Sequence, residues 1–376
     1  MKTRTNRTIR TMVVLASSLV LAAGCKKKDK DQPGGTASGS APVAPKPDEG
    51  SAPAPEPPKP APKTGKDLAQ AILDCGALIN AAKWDDFGKQ CLAEGFVSHQ
   101  AGDQDVTRDQ MIPSLTNAKV AFPDLTVEPQ LVLVNGRTVA AVVLMKGTND
   151  GPLKGEQGTL DATKKKMGVL LYERFALNDE NKVTERWVYV DPGTMLGQLG
   201  QRPKELPPVR PAMEHGLPDA PMIAAAADDD KERANLAVIE QAKDAFNRKQ
   251  AAELMALYAD DAVELDQGSG ADTRGKQHIE KGLVALWKAF PDGKRDTPNV
   301  WAAGDHVVVE GTFTGTHGGP LGKLPKTGKK VEVPFAEVFK LKDGKIAEHW
   351  RFRNEVAMMQ QLGLGAAPAK GAAPAK

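Results

Sequence analysis

The chain has 376 residues, a formal net charge of +2 and 26% charged residues, so it is nearly neutral for its size. Only 5% of the residues are aromatic, and the basic residues form no stripe, which together exclude the electrostatic footprint of a nucleic-acid-binding protein. His and Cys never occur at metal-ligand spacing, and neither a glycine-rich phosphate loop nor a Ser-His-Asp set is visible, so no metal or cofactor is expected.

Residues 1–24 have the layout of a signal peptide. Basic residues come first, and the apolar stretch from Met12 to Ala23 is shorter than the roughly 20 residues that span a bilayer. The small residues before Cys25 resemble the lipobox of bacterial lipoproteins, with Ala22 where that family usually has Leu. This resemblance implies cleavage before Cys25, acylation of that residue and anchoring in a membrane. A secretory peptide with an incidental cysteine is the alternative.

Residues 25–66 follow as a predicted stalk. Pro, Ala, Gly, Ser and Lys dominate it, and such a composition buries too little apolar surface to offset the entropy of ordering. Residues 366–376 have a similar composition and are predicted to be a loose tail. We therefore expect the folded domains in the periplasm or at the cell surface, and Lys26 favours the outer over the inner membrane if enterobacterial sorting applies.

Cys75 and Cys91 are the cysteines that remain. Helical spacing places Cys75 on one stripe with Ile72 and Cys91 on another with Phe87, so that both thiols face the contact between two successive helices. In an oxidising compartment this arrangement predicts a disulfide. Two buried free thiols are the alternative.

The rest of the chain is organised by an internal repeat. Four short motifs recur in the same order: Phe122-Pro123-Asp124 as Phe290-Pro291-Asp292, Gly147-Thr148 as Gly315-Thr316, Glu185-Arg186-Trp187 as Glu348-His349-Trp350, and Gln198-Leu199-Gly200 as Gln361-Leu362-Gly363. A period of this length indicates a duplicated domain. We predict copy one at 67–201, a Pro- and Asp-rich linker at 202–230 and copy two at 231–365.

Within each copy, helical periodicity comes first and strand alternation afterwards. In copy two the Pro291-Asp292 turn ends a third helix, and strands follow at 307–316, 331–341 and 346–354. In copy one Asn135-Gly136 separates two apolar runs, which is a strong hairpin signal. Helices followed by an antiparallel meander predict an α+β fold rather than a parallel sheet with crossovers.

The last hairpin of copy two turns at Asp343-Gly344, which pairs Lys342 with Lys345. An unbroken register from there places Glu337 opposite Trp350, and the same register pairs Glu173 with Trp187 in copy one. One apolar face with a few polar groups results in each copy, as a small-molecule pocket requires. Its predicted members are Glu337, Glu348, Trp350, Phe352 and Asn354 in copy two, and Glu173, Glu185, Trp187, Tyr189 and Asp191 in copy one. His349, Arg351 and Arg353 fall on the opposite face.

The order of these motifs, together with the Lys326-Thr327-Gly328-Lys329 loop, resembles the SnoaL-like polyketide cyclases of the nuclear transport factor 2-like superfamily. The resemblance implies two tandem cones, each a curved antiparallel sheet wrapped by about three helices around a cavity. In the family's cyclases an Asp shortly after the last-strand Trp is the general acid/base of an aldol closure. Asp191 matches this position, four residues after Trp187, whereas copy two has Asn354 there.

The sequence thus predicts Asp191 as a catalytic base in copy one, with Tyr189 polarising a substrate carbonyl. Predicted ligand-binding residues are Trp187, Glu173, Glu185, Glu337, Glu348, Trp350, Phe352, Asn354 and His317. For the four glutamates, a structural hydrogen bond or a place at the pocket rim is the alternative, and His317 is alternatively a plain loop histidine.

Two functions stay open. In one, a membrane-anchored lipoprotein binds a small apolar molecule or a partner in its cones. In the other, copy one is a metal-free cyclase- or isomerase-type enzyme that depends on Asp191. The predicted stalk favours binding, and so does the difference between the last strands of the two copies, which have Asp191 and Asn354 at the same position. We also predict that the copies pack as an intramolecular pseudo-dimer, because the outer sheet face of copy one is apolar and would be an unusual apolar patch in water. Copy two offers a few apolar residues opposite it, and homodimerisation through the same face is the alternative. Those outer residues are Leu170, Tyr172, Val188, Val190, Pro334, Ala336 and Val338.

Overall fold

The computed structural model describes residues 64–100, 104–155, 158–202 and 209–363. Cys25, the signal peptide, almost all of the stalk and the tail lie outside the described residues, so the predicted lipid anchor stays a prediction. In the part of the chain that is described, no helix combines the length and the apolar character needed to cross a bilayer.

Copy one begins with two helices and continues into a sheet that is interrupted by a third helix. In chain order its elements are α1 (Gly65–Asn80), α2 (Trp84–Gln90), β1 (Leu92–Gln100), β2 (Gln104–Thr107), α3 (Arg108–Ala121), β3 (Thr126–Asn135), β4 (Thr138–Thr148), β5 (Leu153–Gly155), β6 (Gly158–Leu160), β7 (Lys166–Leu177), β8 (Val183–Tyr189) and α4 (Pro192–Gln198).

Copy two repeats this order after one strand that lies in the predicted linker. The elements are β9 (Met222–Ala225), α5 (Asp230–Arg248), α6 (Ala251–Ala256), β10 (Tyr258–Asp266), β11 (Thr273–Arg274), α7 (Lys276–Ala289), β12 (Lys294–Ala303), β13 (His306–Thr316), β14 (Lys330–Lys342), β15 (Lys345–Arg353) and α8 (Glu355–Gln361).

The helices have the end signals that their sequences predict. Thr64 and Asp67 form a capping box at the start of α1, and the Asp229 carboxylate accepts the Glu232 amide at the start of α5. α5 ends at Lys249, which adopts a left-handed conformation with φ of 59°. The apolar stripes of α1 and α5 then pack against the sheet and close each cone.

Two main sheets carry the architecture, and the predicted α+β fold is confirmed. The strand order is β2-β1-β8-β7-β4-β3-β9 in copy one and β11-β10-β15-β14-β13-β12 in copy two. Most neighbours are antiparallel, but β1 pairs parallel with β8, and β10 pairs parallel with β15. β9 adds to the edge of copy one's sheet, parallel to β3, so the segment predicted as a linker supplies part of that sheet.

The first recurring motif joins the turn after the third helix to the middle of the sheet. Thr148 donates its backbone N–H to Oδ1 of Asp124 over 2.6 Å and its hydroxyl to Oδ2 over 2.8 Å. Thr316 makes the same two bonds to Asp292, over 2.6 and 2.7 Å. The Phe-Pro-Asp and Gly-Thr motifs therefore recur because they build one structural joint in each copy.

The Gln-Leu-Gly motif is a second structural joint. The Gln198 side chain accepts the backbone N–H of Gly168 and donates to the carbonyl of the same residue. Gln361 does the same with the backbone of Glu332. Each glutamine thus mimics a neighbouring strand and ties the C-terminal helix of its copy to the sheet.

The predicted register of the last hairpin is wrong beyond its first pairs. Lys342 pairs with Lys345 and Leu341 with Ile346, but a bulge follows, and Lys340 then pairs with Glu348. Copy one has the corresponding bulge between Leu177 and Ala176. One extra residue on a strand reverses the face of every side chain beyond it, which the unbroken alternation did not anticipate.

The bulge moves three basic residues into the cone of copy two and two valines into the cone of copy one. Glu337 is opposite Arg351, and Glu173 is opposite Val188. His349, Arg351 and Arg353 therefore line the cavity that they were predicted to face away from. Val188 and Val190 lie in copy one's own core and not on its outer face.

The two copies share a buried apolar cluster between the outer faces of their sheets. Copy one contributes Leu170 and Tyr172, and copy two contributes Val338, Trp350 and Phe352, among others. This contact removes apolar area from water, and each Å² of apolar area buried contributes about 25 cal/mol of stabilisation.

One buried ion pair crosses this contact. Glu310 of copy two accepts the Tyr172 hydroxyl over 2.7 Å and Nε of Arg174 over 2.8 Å, both from copy one. Asn299 also donates to this carboxylate, over 3.1 Å. A charge buried between two sheets requires such partners, so this pair fixes how the two outer faces align.

The two cysteines of copy one are bonded in the structure. The Sγ atoms of Cys75 and Cys91 are 2.05 Å apart, and the bond links the end of α2 to the middle of α1. Both residues border copy one's cavity.

Candidate functional site

Four of the residues predicted to line the cavities lie on the outer faces of the sheets instead. Trp350 and Phe352 are buried in the cluster between the copies, and Tyr189 packs against the same cluster. Trp187 lies between Arg174, whose guanidinium carbon is 3.4 Å from its ring centre, and the ring of His99. Their predicted place in the cavities is wrong, because the bulge reverses the faces.

The two glutamates nearest the bulge also lie away from the cavities. Glu185 is exposed and lies 3.7 Å from Nε2 of His99. Glu348 lies 3.3 Å from Nζ of Lys340, its partner on β14. Of the four glutamates predicted to face a cavity, Glu173 and Glu337 do so.

Asp191 is not in a cavity, contrary to its predicted role as a base there. It is 3% exposed and caps α4, accepting the backbone N–H groups of Gly193 and Thr194 and the hydroxyl of Thr194. Burial, with a further contribution from Glu355 across the domain contact, raises the pKa of Asp191 to about 6, against the effect of these hydrogen bonds. Asn354 caps α8 in the same way by accepting the Ala357 amide.

His317 is buried beneath its loop and does not reach the cavity. Its Nδ1 lies 3.0 Å from the Thr327 hydroxyl and accepts the Thr327 amide over 3.2 Å. In copy one Asn149 holds the corresponding loop through Thr163. The predicted ligand contact is therefore replaced by a loop-stabilising role.

The cavity of copy two holds a cluster of charged and polar side chains. It has a volume of about 320 Å³, and its walls are apolar side chains of the helices and of β13 and β14. At its floor β10, β12, β14 and β15 bring together polar side chains, namely Tyr258, Glu264, Asp266, Arg295, Glu337, His349, Arg351 and Arg353.

Glu337 is the centre of this cluster and is 2% exposed. Nη2 of Arg295 contacts one of its oxygens, while Nε2 of His349 lies 3.2 Å and Nε of Arg351 3.4 Å from the other. Burial by itself would raise the pKa of Glu337, but Arg295, His349 and Arg351 outweigh it and hold the pKa well below its usual range. Glu337 is thus a fixed anion and a weak base.

His349 lies between Glu337 and a tyrosine. Its Nδ1 is 3.2 Å from the Tyr258 hydroxyl, and its ring stacks on Phe339 at a centroid distance of 4.1 Å. Burial, Glu264 and Glu337 raise the pKa of Tyr258 far above its usual range, so that this hydroxyl stays protonated. The row Tyr258–His349–Glu337 is therefore an imidazole with a hydroxyl on one side and a carboxylate on the other.

Two further carboxylates pair with the remaining arginines. Nη1 of Arg351 lies 3.1 Å from Glu264, and Nη2 of Arg353 lies 2.8 Å from Asp266. Burial would raise the pKa of Asp266, but Arg353 and Arg351 lower it. With Arg295 against Glu337, the floor of the cavity holds three carboxylates and three guanidinium groups.

Copy one's cavity is smaller and nearly apolar. Its volume is about 130 Å³, and its charged lining residues are Glu173 and Arg186, which pair with each other, with Nε of Arg186 2.9 Å from the carboxylate. The Ser98 hydroxyl accepts from Arg186 over 3.4 Å.

The matching registers of the two sheets allow a comparison position by position. Glu173 and Arg186 in copy one correspond to Glu337 and His349 in copy two, so an acid with a basic neighbour occurs in both. Six other polar positions of copy two are uncharged in copy one. Copy one first, these pairs are Leu92 and Tyr258, Ser98 and Glu264, Gln100 and Asp266, Val127 and Arg295, Val188 and Arg351, and Val190 and Arg353.

Sequence reasoning missed most of this cluster, although one signal for it was present. His349, Arg351 and Arg353 follow each other at the strand period of two, and Glu264 and Asp266 do so on β10. Alternating charges of opposite sign on two strands of one sheet indicate a shared buried face. Within the described ranges, no group of His, Cys, Asp and Glu is arranged to hold a metal ion.

No curated protein matches the chain. Among solved structures, AclR of Streptomyces galilaeus, described as a hydroxylase, is 24% identical over 37% of this chain and 87% of its own, with a TM-score of 0.34. A Jannaschia sp. CCS1 protein described as a SnoaL-like polyketide cyclase is 24% identical over 37% and 97%, with a TM-score of 0.35. IdmH of Streptomyces antibioticus is 26% identical over 34% and 98%, with a TM-score of 0.31.

The model of the family SnoaL-like polyketide cyclase matches the chain twice. The matched residues are 67–199 and 237–362, one segment in each copy and together more than half of the chain. The chain therefore belongs to the SnoaL-like polyketide cyclase family.

Proposed function

We propose that this protein is a lipid-anchored binding protein whose second copy holds a small molecule without net charge in its cone. One observation carries the proposal: the polar cluster of copy two replaces uncharged residues at six equivalent positions of copy one. A cavity with an apolar wall and a few converging polar groups is the usual form of a small-molecule site. The first copy then serves as a structural support.

The charges of the cavity favour an uncharged ligand. Glu337, Asp266 and Glu264 are balanced by Arg295, Arg351 and Arg353. A charged ligand would either break one of these pairs or remain unpaired in a water-poor site, and both are costly. An uncharged molecule can fill the apolar part and form hydrogen bonds at the floor.

The anchor belongs to the proposal as well. It rests on the residues before Cys25 and on the composition of residues 25–66, from which an anchor and a stalk are predicted. A binding protein held near a bilayer would meet apolar molecules there at high local concentration.

The experiment is native mass spectrometry of the full chain, extracted with mild detergent, to detect a co-purified small molecule. Leu283→Trp fills copy two's cavity, and Leu115→Trp, on the corresponding helix, is the matched control in copy one. We expect the bound mass to disappear with the first variant and to persist with the second. The opposite result assigns binding to copy one, and a bound mass that survives both variants contradicts a cavity site.

A second function, proton transfer by copy two, is favoured by the row Tyr258–His349–Glu337. An imidazole between a hydroxyl and a carboxylate can accept and return a proton, which the paired carboxylates do poorly. His349→Gln keeps hydrogen-bonding groups but cannot shuttle a proton. Turnover of the co-purified molecule by the wild type that His349→Gln abolishes, while binding persists, would identify an enzyme; binding without turnover in both supports the first proposal.

A further inference from the structure

Among the described residues that line the cavity of copy two, three are exposed, and they lie on two helices. The exposed lining residues are Glu240 on α5 and Gly282 and Ala285 on α7. Lys243, half-buried and paired with Glu240, borders the same gap. The other lining residues, on the strands and on α6 included, are buried or half-buried.

Gly282 leaves this gap open. A Cβ atom built at this position meets no heavy atom within 4 Å, so that the space beside the helix is empty. Glycine in the interior of a helix destabilises the helix relative to alanine. Neither a turn nor a left-handed conformation requires the glycine here, since it lies inside α7.

Copy one differs at the corresponding helix. None of the described residues that line its cavity is exposed. Ser114, which corresponds to Gly282 when the two Phe-Pro-Asp turns are aligned, is buried. Asn117, which corresponds to Ala285, donates to the carbonyl of Lys154 on β5 over 2.9 Å and so joins the helix to the neighbouring hairpin.

We infer that molecules enter copy two's cone sideways, between α5 and α7, and that Gly282 and Ala285 set the width of this entrance. The inference rests on the proposed function for the identity of what enters but not for the route. It makes Gly282 a residue that selects molecules by their cross-section, while the charges at the floor select them by polarity.

The test measures entry without a known ligand. In the full chain, Val309→Cys introduces a thiol on the cavity wall of copy two, and Val143→Cys does so in the closed cavity of copy one. The probe is methyl methanethiosulfonate, a small uncharged thiol reagent, and labelling is followed at each position by peptide mass spectrometry. Position-specific readout excludes signals from the native cysteines.

We expect labelling at position 309 to be at least about tenfold faster than at position 143, where the protein must first open locally. Adding Gly282→Phe should slow labelling at position 309 to the rate of the closed cavity, whereas Gly282→Ala and the exposed control Lys281→Phe should not. Ala285→Phe is the second blocking variant, in case Gly282→Phe does not fold by circular dichroism.

Equal labelling rates at 309 with and without both blocking residues would overturn the inference, whatever the ligand experiment shows. Slow labelling at 309 in the unblocked protein would overturn it too. A blocked entrance combined with no co-purified molecule would leave the route intact and contradict the proposed function instead.

Discussion

Asp191 and Asn354 occupy the same position in the two copies, where each caps the helix that follows the last strand. Asp191 is buried and ionisable, whereas Asn354 is half-buried and neutral. Burial and Glu355 raise the pKa of Asp191 to about 6, so the folded protein binds a proton more tightly here than the unfolded chain does. The stabilising effect is complete below about pH 4 and is lost as the pH rises through 6.

We therefore predict that Asp191→Asn stabilises the protein at pH 7.5. Asn caps helices as well as Asp does, and removing the buried charge should raise the free energy of unfolding by up to about 3 kcal/mol. Urea unfolding at several pH values is the measurement, and the gain should vanish below pH 4. Asn354→Asp is the converse control and should lose stability at pH 7.5; a loss of stability in Asp191→Asn would contradict the prediction.

His306 should make the protein acid-sensitive. Burial, with Lys340 and Lys231 and against Asp305, lowers the pKa of His306 to about 4. The folded protein holds this ring neutral, while the unfolded chain protonates it near pH 6.5, so stability is lost as the pH falls from 6.5 to 4. His306→Leu should be more stable than wild type by about 2–3 kcal/mol at pH 4.5, relative to any difference at pH 7.5. His215→Gln, at an exposed position, is the control and should show no such pH-dependent gain.

Removing one partner of the ion pair between the copies should lower the free energy of unfolding. Glu310→Ala leaves Arg174 and Tyr172 without their acceptor, and we expect a loss of about 3–5 kcal/mol in the free energy of unfolding. The double variant Glu310→Leu with Arg174→Leu removes both charges and should recover most of that loss. If Glu310→Ala is as stable as wild type, the pair contributes nothing to the contact between the copies.

The disulfide should stabilise copy one. It links residues 16 positions apart, and a loop of this length is worth about 3 kcal/mol in the chain-entropy model. The Cys75→Ser, Cys91→Ser double variant should lose this amount in urea unfolding. Wild type treated with a reductant under native conditions should approach the double variant; labelling of both cysteines in untreated protein would show that the bond is absent.

Membrane attachment should depend on Cys25. Cys25→Ser is expected to move the protein from the membrane pellet to the soluble fraction, because several acyl chains are needed for durable anchoring. The Cys75→Ser, Cys91→Ser variant controls for a general effect of cysteine loss and should stay in the pellet. Retention of Cys25→Ser in the membrane would refute the predicted lipid anchor.

Much of the fold is predictable from the sequence because it depends on local signals. The Phe-Pro-Asp turn, the Asn135-Gly136 hairpin and the order of helices and strands are written in short segments, and the structure confirms the α+β class. The recurring motifs indicated the family for the same reason, because Asp124 and Gln198 bind neighbouring segments to strands of the sheet.

The candidate site could not be predicted equally well, because it depends on a shift of one residue in the pairing of β14 with β15. The residues of β15 after the bulge alternate as predicted. The bulge after Ile346 shifts them by one position, so each of them lies on the opposite side of the sheet from the predicted one. The energetic preference for a bulge is spread over two strands and their packing, and no residue beside it is a glycine that would signal it. A resemblance to cyclases then directed attention to Asp191, whose carboxylate caps a helix.

The strand β9 has a consequence for how the chain is made. It lies after copy one in the sequence, yet its residues Met222–Ala225 pair with β3 and form one edge of copy one's sheet. During synthesis β3 is an unpaired edge of the first sheet until the chain has emerged as far as Ala225, and unpaired edges invite pairing with other chains. A protease cut near residue 202 falls between the two segments that match the family, but it separates β9 from the chain of copy one. A cut between Ala225 and α5 would keep β9 on the chain of copy one. The first folded domain, with β9 in its sheet, is thus longer than the segment that the internal repeat defines.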